Sequence, residues 1–224
     1  MPESHLFSMS FIHCLTKMLP HPYRSIMFDM DGVLLDSRPA MTYAWSCVCD
    51  KFKFNIHPQL YLDNIGLPFE SILTNLGISE SLHVDIKLLY GSSVTKCSHL
   101  MTLYRGIPFV LNQLSLLNLS IAIITSKEFW RADYICDVFG IPCEVLITPE
   151  FTQRGKPHPD PIIAALSKLD VAPHQSIYIG DMLTDRQSAE SANVTFLHAS
   201  WGYGIDPQSK LKLDYPEELL EFII

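Results

Sequence analysis

The sequence predicts an α/β protein, a Rossmann-like parallel sheet core carrying one inserted α-helical cap subdomain. Three observations predict it. Short apolar runs recur along the chain, stretches with helical spacing follow most of them, and one long interval near the start breaks the alternation.

Taken in order, SIMF at 25–28 is the first strand. SIAII at 120–124, EVLI at 144–147, SIYI at 176–179 and VTFL at 194–197 follow. Unbroken apolar, β-branched runs of this kind suit parallel strands covered on both faces. The helices between them carry their own signals. IPFVLNQLSLL (107–117) has Pro108 in its first turn, and EFWRADYICDVFG (128–140) closes on a glycine suited to stop a helix. PDPIIAALSKL (159–169) starts with prolines, and LTDRQSAESAN (183–193) brings small residues that permit close helix–sheet contact. Alternating strands and helices imply right-handed crossovers.

The exception lies between the first and second strands, where about 80 residues contain no clear strand but many helix-compatible patterns, too long for a structureless loop. RPAMTYAWSCVCDKF, LPFESILTNL and ISESLHVDIKLLYGSSVTKCSHLMTLY all fall there. The expected organisation is an N-terminal extension at 1–21, a core built from 22–37 and 104–224, and a helical cap inserted at 38–103. Tyr43 and Trp45 of that segment read as packing residues.

Composition narrows the function. Hydrophobic residues make up 48% of the 224 and charged residues 18%, which suits a globular chain and not a disordered one. A formal net charge of −8 without a Lys/Arg run argues against nucleic acid as the main partner. Of the six cysteines none forms CxxC or a zinc spacing, so reduced thiols and a cytoplasmic location are expected. No apolar run approaches the roughly 20 residues that span a bilayer, so no membrane partner is expected. The opening segment, with Glu3 and His5, does not read as a secretory signal.

Open α/β sheets bind ligands at the C-terminal ends of their strands. Asp29, Asp31 and Gly32 follow the first strand, Thr125 and Ser126 the second, Lys156 of RGKPHPDP the third, and Asp181 and Asp185 of GDMLTD the fourth. Singly, each has a plainer reading: a DxD as a solvated turn, Thr125 as a helix cap, Lys156 as a surface lysine. Brought together, several carboxylates need a cation, and an oxygen-only donor set selects a hard ion, Mg²⁺ first. Metal, ammonium and hydroxyl together suit a phosphoryl group. An Asp carboxylate is a competent nucleophile towards phosphorus, and a second Asp can serve as acid and base. That division requires Asp29 ionised and Asp31 protonated part of the time.

These residues resemble the haloacid dehalogenase (HAD) superfamily of hydrolases, in the phosphoglycolate-phosphatase-like and β-phosphoglucomutase-like branch with a helical cap. DMDGVLLDS, IAIITS, GKPHPDP and IGDMLTD resemble its four motifs in order, and IGLPFESIL (65–73) and HASWGYG (198–204) are similar to the phosphatase branch. The resemblance implies Asp29 as nucleophile and metal ligand, and Asp31 as general acid/base whose backbone carbonyl joins the metal. It implies Thr125 on the phosphoryl oxygens, Lys156 pairing nucleophile and phosphate, Asp181 completing the metal site, and Asp185 acting through water or orienting Lys156. Gly32 and Ser126 would lie beside the substrate. Two departures stand out: Ser126 where the branch often has Asn, and Ala192-Asn193 where it usually has Ala-Gly, a change that Asn's tolerance of left-handed backbone makes structural.

The expected function is a Mg²⁺-dependent phosphatase of a small phosphorylated metabolite (phosphoglycolate- or sugar-phosphate-like), working through an aspartyl-phosphate as monomer or homodimer. A phosphomutase on the same scaffold is the alternative, and a non-catalytic phosphometabolite-binding module a third reading.

Overall fold

The computed structural model describes residues 22–223; the proposed extension at 1–21 lies outside them. A six-stranded parallel sheet has the order β5-β4-β1-β6-β7-β8. Its strands are β1 (Ser25–Phe28), β4 (Ser120–Ile124), β5 (Val145–Ile147), β6 (Ser176–Gly180), β7 (Thr195–Ala199) and β8 (Lys212–Leu213). β1 and β6 are buried throughout, as unbroken apolar runs require. Strand alternation sends Ile26 and Phe28 to one apolar cluster and Met27 to the other, so the sheet is covered on both faces.

The helices between these strands are α5 (Ile107–Leu116), α6 (Phe129–Phe139), α7 (Asp160–Leu169) and α8 (Leu183–Ser191), with α9 (Glu218–Ile223) at the end. Gly140 ends α6 in the left-handed region at φ 61°, and Asn193 adopts φ 55° just after α8. β8 and α9 have no counterpart in the sequence reading, being too short to show a period.

Residues 38–103 contain α1 (Arg38–Phe52), α2 (Pro58–Leu62), α3 (Phe69–Asn75) and α4 (His83–Lys96). An antiparallel pair brackets them, β2 (Leu35–Asp36) with β3 (Thr102–Leu103), which the sequence did not announce. α1 packs chiefly on α4. Trp45 is fully buried and stacks on Tyr61 at 4.7 Å between ring centroids. Tyr43 corrects its expectation: it faces outward on α1 and is 52% exposed. The apolar cluster that holds Ile26, Phe28 and Ile177 continues without a break into Trp45, Tyr61 and Ile86, so insertion and sheet share one core.

Candidate active site

β1 sits at the centre of the sheet, and its backbone ladder to β6 continues one residue further, with Asp29 N–H donating to the Ile179 carbonyl at 2.9 Å. Asp29 is thereby fixed at the strand end and only 7% exposed. Lys156 arrives from the loop before α7, which Ser188 on α8 anchors by donating to the His158 carbonyl at 2.7 Å. Its ammonium donates to Asp29 Oδ1 at 2.8 Å and to Asp185 Oδ1 at 2.7 Å. Asp185 also accepts from the Tyr178 hydroxyl at 2.9 Å and from Met182 N–H at 3.0 Å. Both of its oxygens are therefore engaged. Arg154 and His158, which flank Lys156, are exposed, and Arg154 pairs with Asp160.

Asp29, Asp181 and Asp185 bring carboxylate oxygens within 4.8 Å of one another, all three residues buried. Asp181 is completely buried; its Oδ2 accepts from Tyr203 N–H at 2.6 Å while its Oδ1 has no partner among the described residues. Gly32 adopts φ +86°, and a Cβ there would overlap the Asp181 carboxylate. An all-oxygen donor set with an orphaned buried carboxylate oxygen fits a hard divalent cation. Burial, with Asp185 and Asp31 adding to it, pushes the Asp29 carboxyl up to about 7 even beside Lys156. Burial followed by the charges of Asp185 and Asp29 raises Asp181 well above its ordinary value. Acids crowded in this way wait for a cation to neutralise them.

Asp31 stands apart from that cluster. Lys127 donates to its Oδ2 and the Ser37 hydroxyl to its Oδ1. Burial works against ionisation here, yet Lys127, Ser37 and the more distant Arg131 hold the Asp31 carboxyl below its ordinary range. The Asp31 carboxyl is thus held down by its cationic and hydroxyl partners, while burial among neighbouring acids pushes the Asp29 carboxyl up.

Thr125 is buried at the end of β4, its hydroxyl accepting from Lys127 N–H at 3.2 Å, and Ser126 beside it is exposed. Both line a cleft with Asp29, Asp31 and Lys156, roofed by Tyr61, Phe69 and Tyr90 of the insertion. Gly66 also lines it, on the turn after α2 at φ +98°. Gly32 lies below the cleft lining, and its requirement is room for Asp181. Sequence reasoning missed Lys127, Ser37, Tyr178 and Tyr203. Ser37 and Tyr203 fell inside quoted motifs without a role, and Lys127 follows IITS directly; a cation two residues past a strand-end Thr was the available signal.

A family profile described as haloacid dehalogenase-like hydrolase matches residues 26–199. The chain belongs to that family. It is 27% identical over 219 residues to an N-acetylmuramic acid 6-phosphate phosphatase of Pseudomonas aeruginosa, covering 89% of this chain and 94% of the relative. It is 25% identical to a phosphoglycolate phosphatase of Nitrosococcus oceani, over 92% and 96% of the two chains. A solved structure of a candidate phosphoglycolate phosphatase from Lactobacillus plantarum superposes with a TM-score of 0.80 at 30% identity, covering 89% of this chain and 98% of that one. These relatives place this haloacid dehalogenase-like chain among the phosphoric monoester hydrolases. No helix among the described residues is long and apolar enough to cross a membrane. The five cysteines described are free.

Proposed function

We propose that this hydrolase is a Mg²⁺-dependent phosphatase of small phosphorylated metabolites, phosphoglycolate and sugar phosphates among them, acting through an aspartyl-phosphate on Asp29. The observation that carries the reading is the state of Asp29: Lys156 holds Oδ1, while Oδ2 accepts no hydrogen bond from any described residue and the residue lines the cleft. One oxygen is oriented and the other is open to phosphorus. Cleft size agrees with a small substrate, since its free volume of about 110 Å³ holds several waters' worth of ligand at roughly 10–15 Å³ each.

Asp29, Asp181 and the backbone carbonyl of Asp31 would hold Mg²⁺, with Asp185 behind them. The ion, when bound, supplies positive charge to the acid cluster and to the phosphoryl oxygens. Asp29 Oδ2 attacks phosphorus in line, the ester oxygen leaves, and Lys156 and the Thr125 hydroxyl hold the transferred group's oxygens. Asp31 gives the leaving oxygen a proton and later takes one from the water that cleaves the aspartyl-phosphate. Its ionised state suits the second step; for the first, Asp31 takes up a proton from solvent as its contacts with Lys127 and Ser37 loosen. Closure of the insertion over the cleft excludes bulk water.

The test is Asp29→Asn with p-nitrophenyl phosphate and Mg²⁺. Turnover should fall at least about 10³-fold with the circular dichroism spectrum unchanged. Substantial residual phosphate release would sink the mechanism, and isomerised sugar phosphate in place of free phosphate would favour a mutase.

A further inference from the structure

Arg131, the third residue of α6, is the one cation of the cleft that the chain leaves without a partner among the described residues. Lys156 meets two acids and Lys127 meets Asp31. The Arg131 side chain forms no hydrogen bond or ion pair with any described residue, and its Nε is buried with no partner. The nearby acids are committed elsewhere: Glu128 lies 3.7 Å from Lys87, and Glu150 accepts from Phe129 N–H and Thr148. Leaving a guanidinium donor buried and unpaired is costly, so its position needs a ligand to account for it.

The surroundings say where that ligand lies. Arg131 lines the same cleft as Asp29, Thr125 and Lys156. Its guanidinium packs against the backbone of α4 at Gly91, where a Cβ would come within 3.2 Å of Nη1. Its charge acts on Asp31 and on the hydroxyls of Tyr61 and Tyr90. Tyr61 donates its hydroxyl proton to Tyr90 at 2.6 Å, which leaves the Tyr90 proton without an acceptor among the described residues. A forked cation and a spare hydroxyl donor therefore line the cleft that also holds Asp29 and Lys156.

We propose that Arg131, seconded by Tyr90, receives a second acidic group of the substrate, so that the preferred substrates are short phosphate esters or anhydrides bearing a carboxylate or a further phosphate. A planar guanidinium pairs with either group through two parallel hydrogen bonds. The assignment rests on the phosphatase reading for the other end of the ligand.

The experiment compares phosphoglycolate, inorganic pyrophosphate and 2-hydroxyethyl phosphate, the last replacing the carboxylate of the first by a neutral group. With Mg²⁺, the protein should favour phosphoglycolate or pyrophosphate over 2-hydroxyethyl phosphate by at least about tenfold in kcat/KM. Which of the two leads tells carboxylate from phosphate. Arg131→Leu should reduce that preference about tenfold or more, chiefly through KM, and Arg131→Lys should restore part of it. Equal losses on all three compounds would show a structural role and overturn the proposal. Calorimetry on the Asp29→Asn protein reads the same preference without turnover: tighter phosphoglycolate binding that Arg131→Leu abolishes supports the assignment, and equal affinities overturn it. A preserved binding preference with no turnover of any compound by the unaltered protein would remove the phosphatase reading and leave Arg131 in place.

Discussion

Lys127 shows how one unforeseen residue changes the reading of another. Its side chain is 4% exposed and is committed to Asp31. Burial lowers the ammonium even though Asp31 supports it, and in exchange it holds Asp31 ionised. Lys127→Met should raise the Asp31 pKa, since the largest favourable charge is gone while the burial remains. Where Asp31 must carry a proton to the leaving oxygen, the alkaline limb of the kcat/KM profile should then move to higher pH. A limb that stays in place would remove Asp31 from that role. Tyr203 acts by positioning: its hydroxyl accepts from Ser37 N–H at 2.7 Å, and its N–H holds Asp181. One residue thus ties the first motif to the fourth.

At the scale of elements, the strands of the core were legible because nothing interrupts their apolar runs. β1 and β4 have the expected limits, and β5, β6 and β7 differ from them by one or two residues. β2, β3 and β8 are two residues each, too short for any period to register. The acids and Lys156 were legible because motifs place them at strand ends. Tyr178 was not, since a tyrosine inside a buried strand reads as core, and only the fold brings Asp185 to its hydroxyl. The stability of the insertion rests on α1. Trp45→Ala removes a fully buried ring stacked on Tyr61 and should cost about 3–5 kcal/mol, measured by urea unfolding. Loss below 1 kcal/mol would mean that the site collapses around the gap.

Across the whole molecule, the shared apolar core predicts a single unfolding transition coupled to the acid cluster. Asp29 titrates at about 7 in the fold against an ordinary 3.8, so below the lower value both states are protonated and the contribution is fully present. Between the two values the native state keeps a proton that the unfolded chain has released. Raising pH through that window therefore destabilises the metal-free protein, and Asp181 adds in the same direction. In EDTA, Tm should fall between about pH 4 and 7, and Mg²⁺ at 100 times its Kd should restore roughly 2.7 kcal/mol. A flat profile in EDTA would show that the cluster is relaxed without metal.

The crowding around Asp181 has a historical consequence. A Cβ at Gly32 or at Gly202 would overlap the Asp181 side chain, so three positions spread over most of the chain close on a space that admits no added atom. An enlarged residue at either glycine displaces the carboxylate, so neither can grow while Asp181 stays. Single steps that add atoms at Gly32 or Gly202 are blocked until position 181 shrinks, which would cost the acid cluster one of its carboxylates. A lineage that keeps Asp181 keeps both glycines with it, whatever the rest of the cleft evolves to accept.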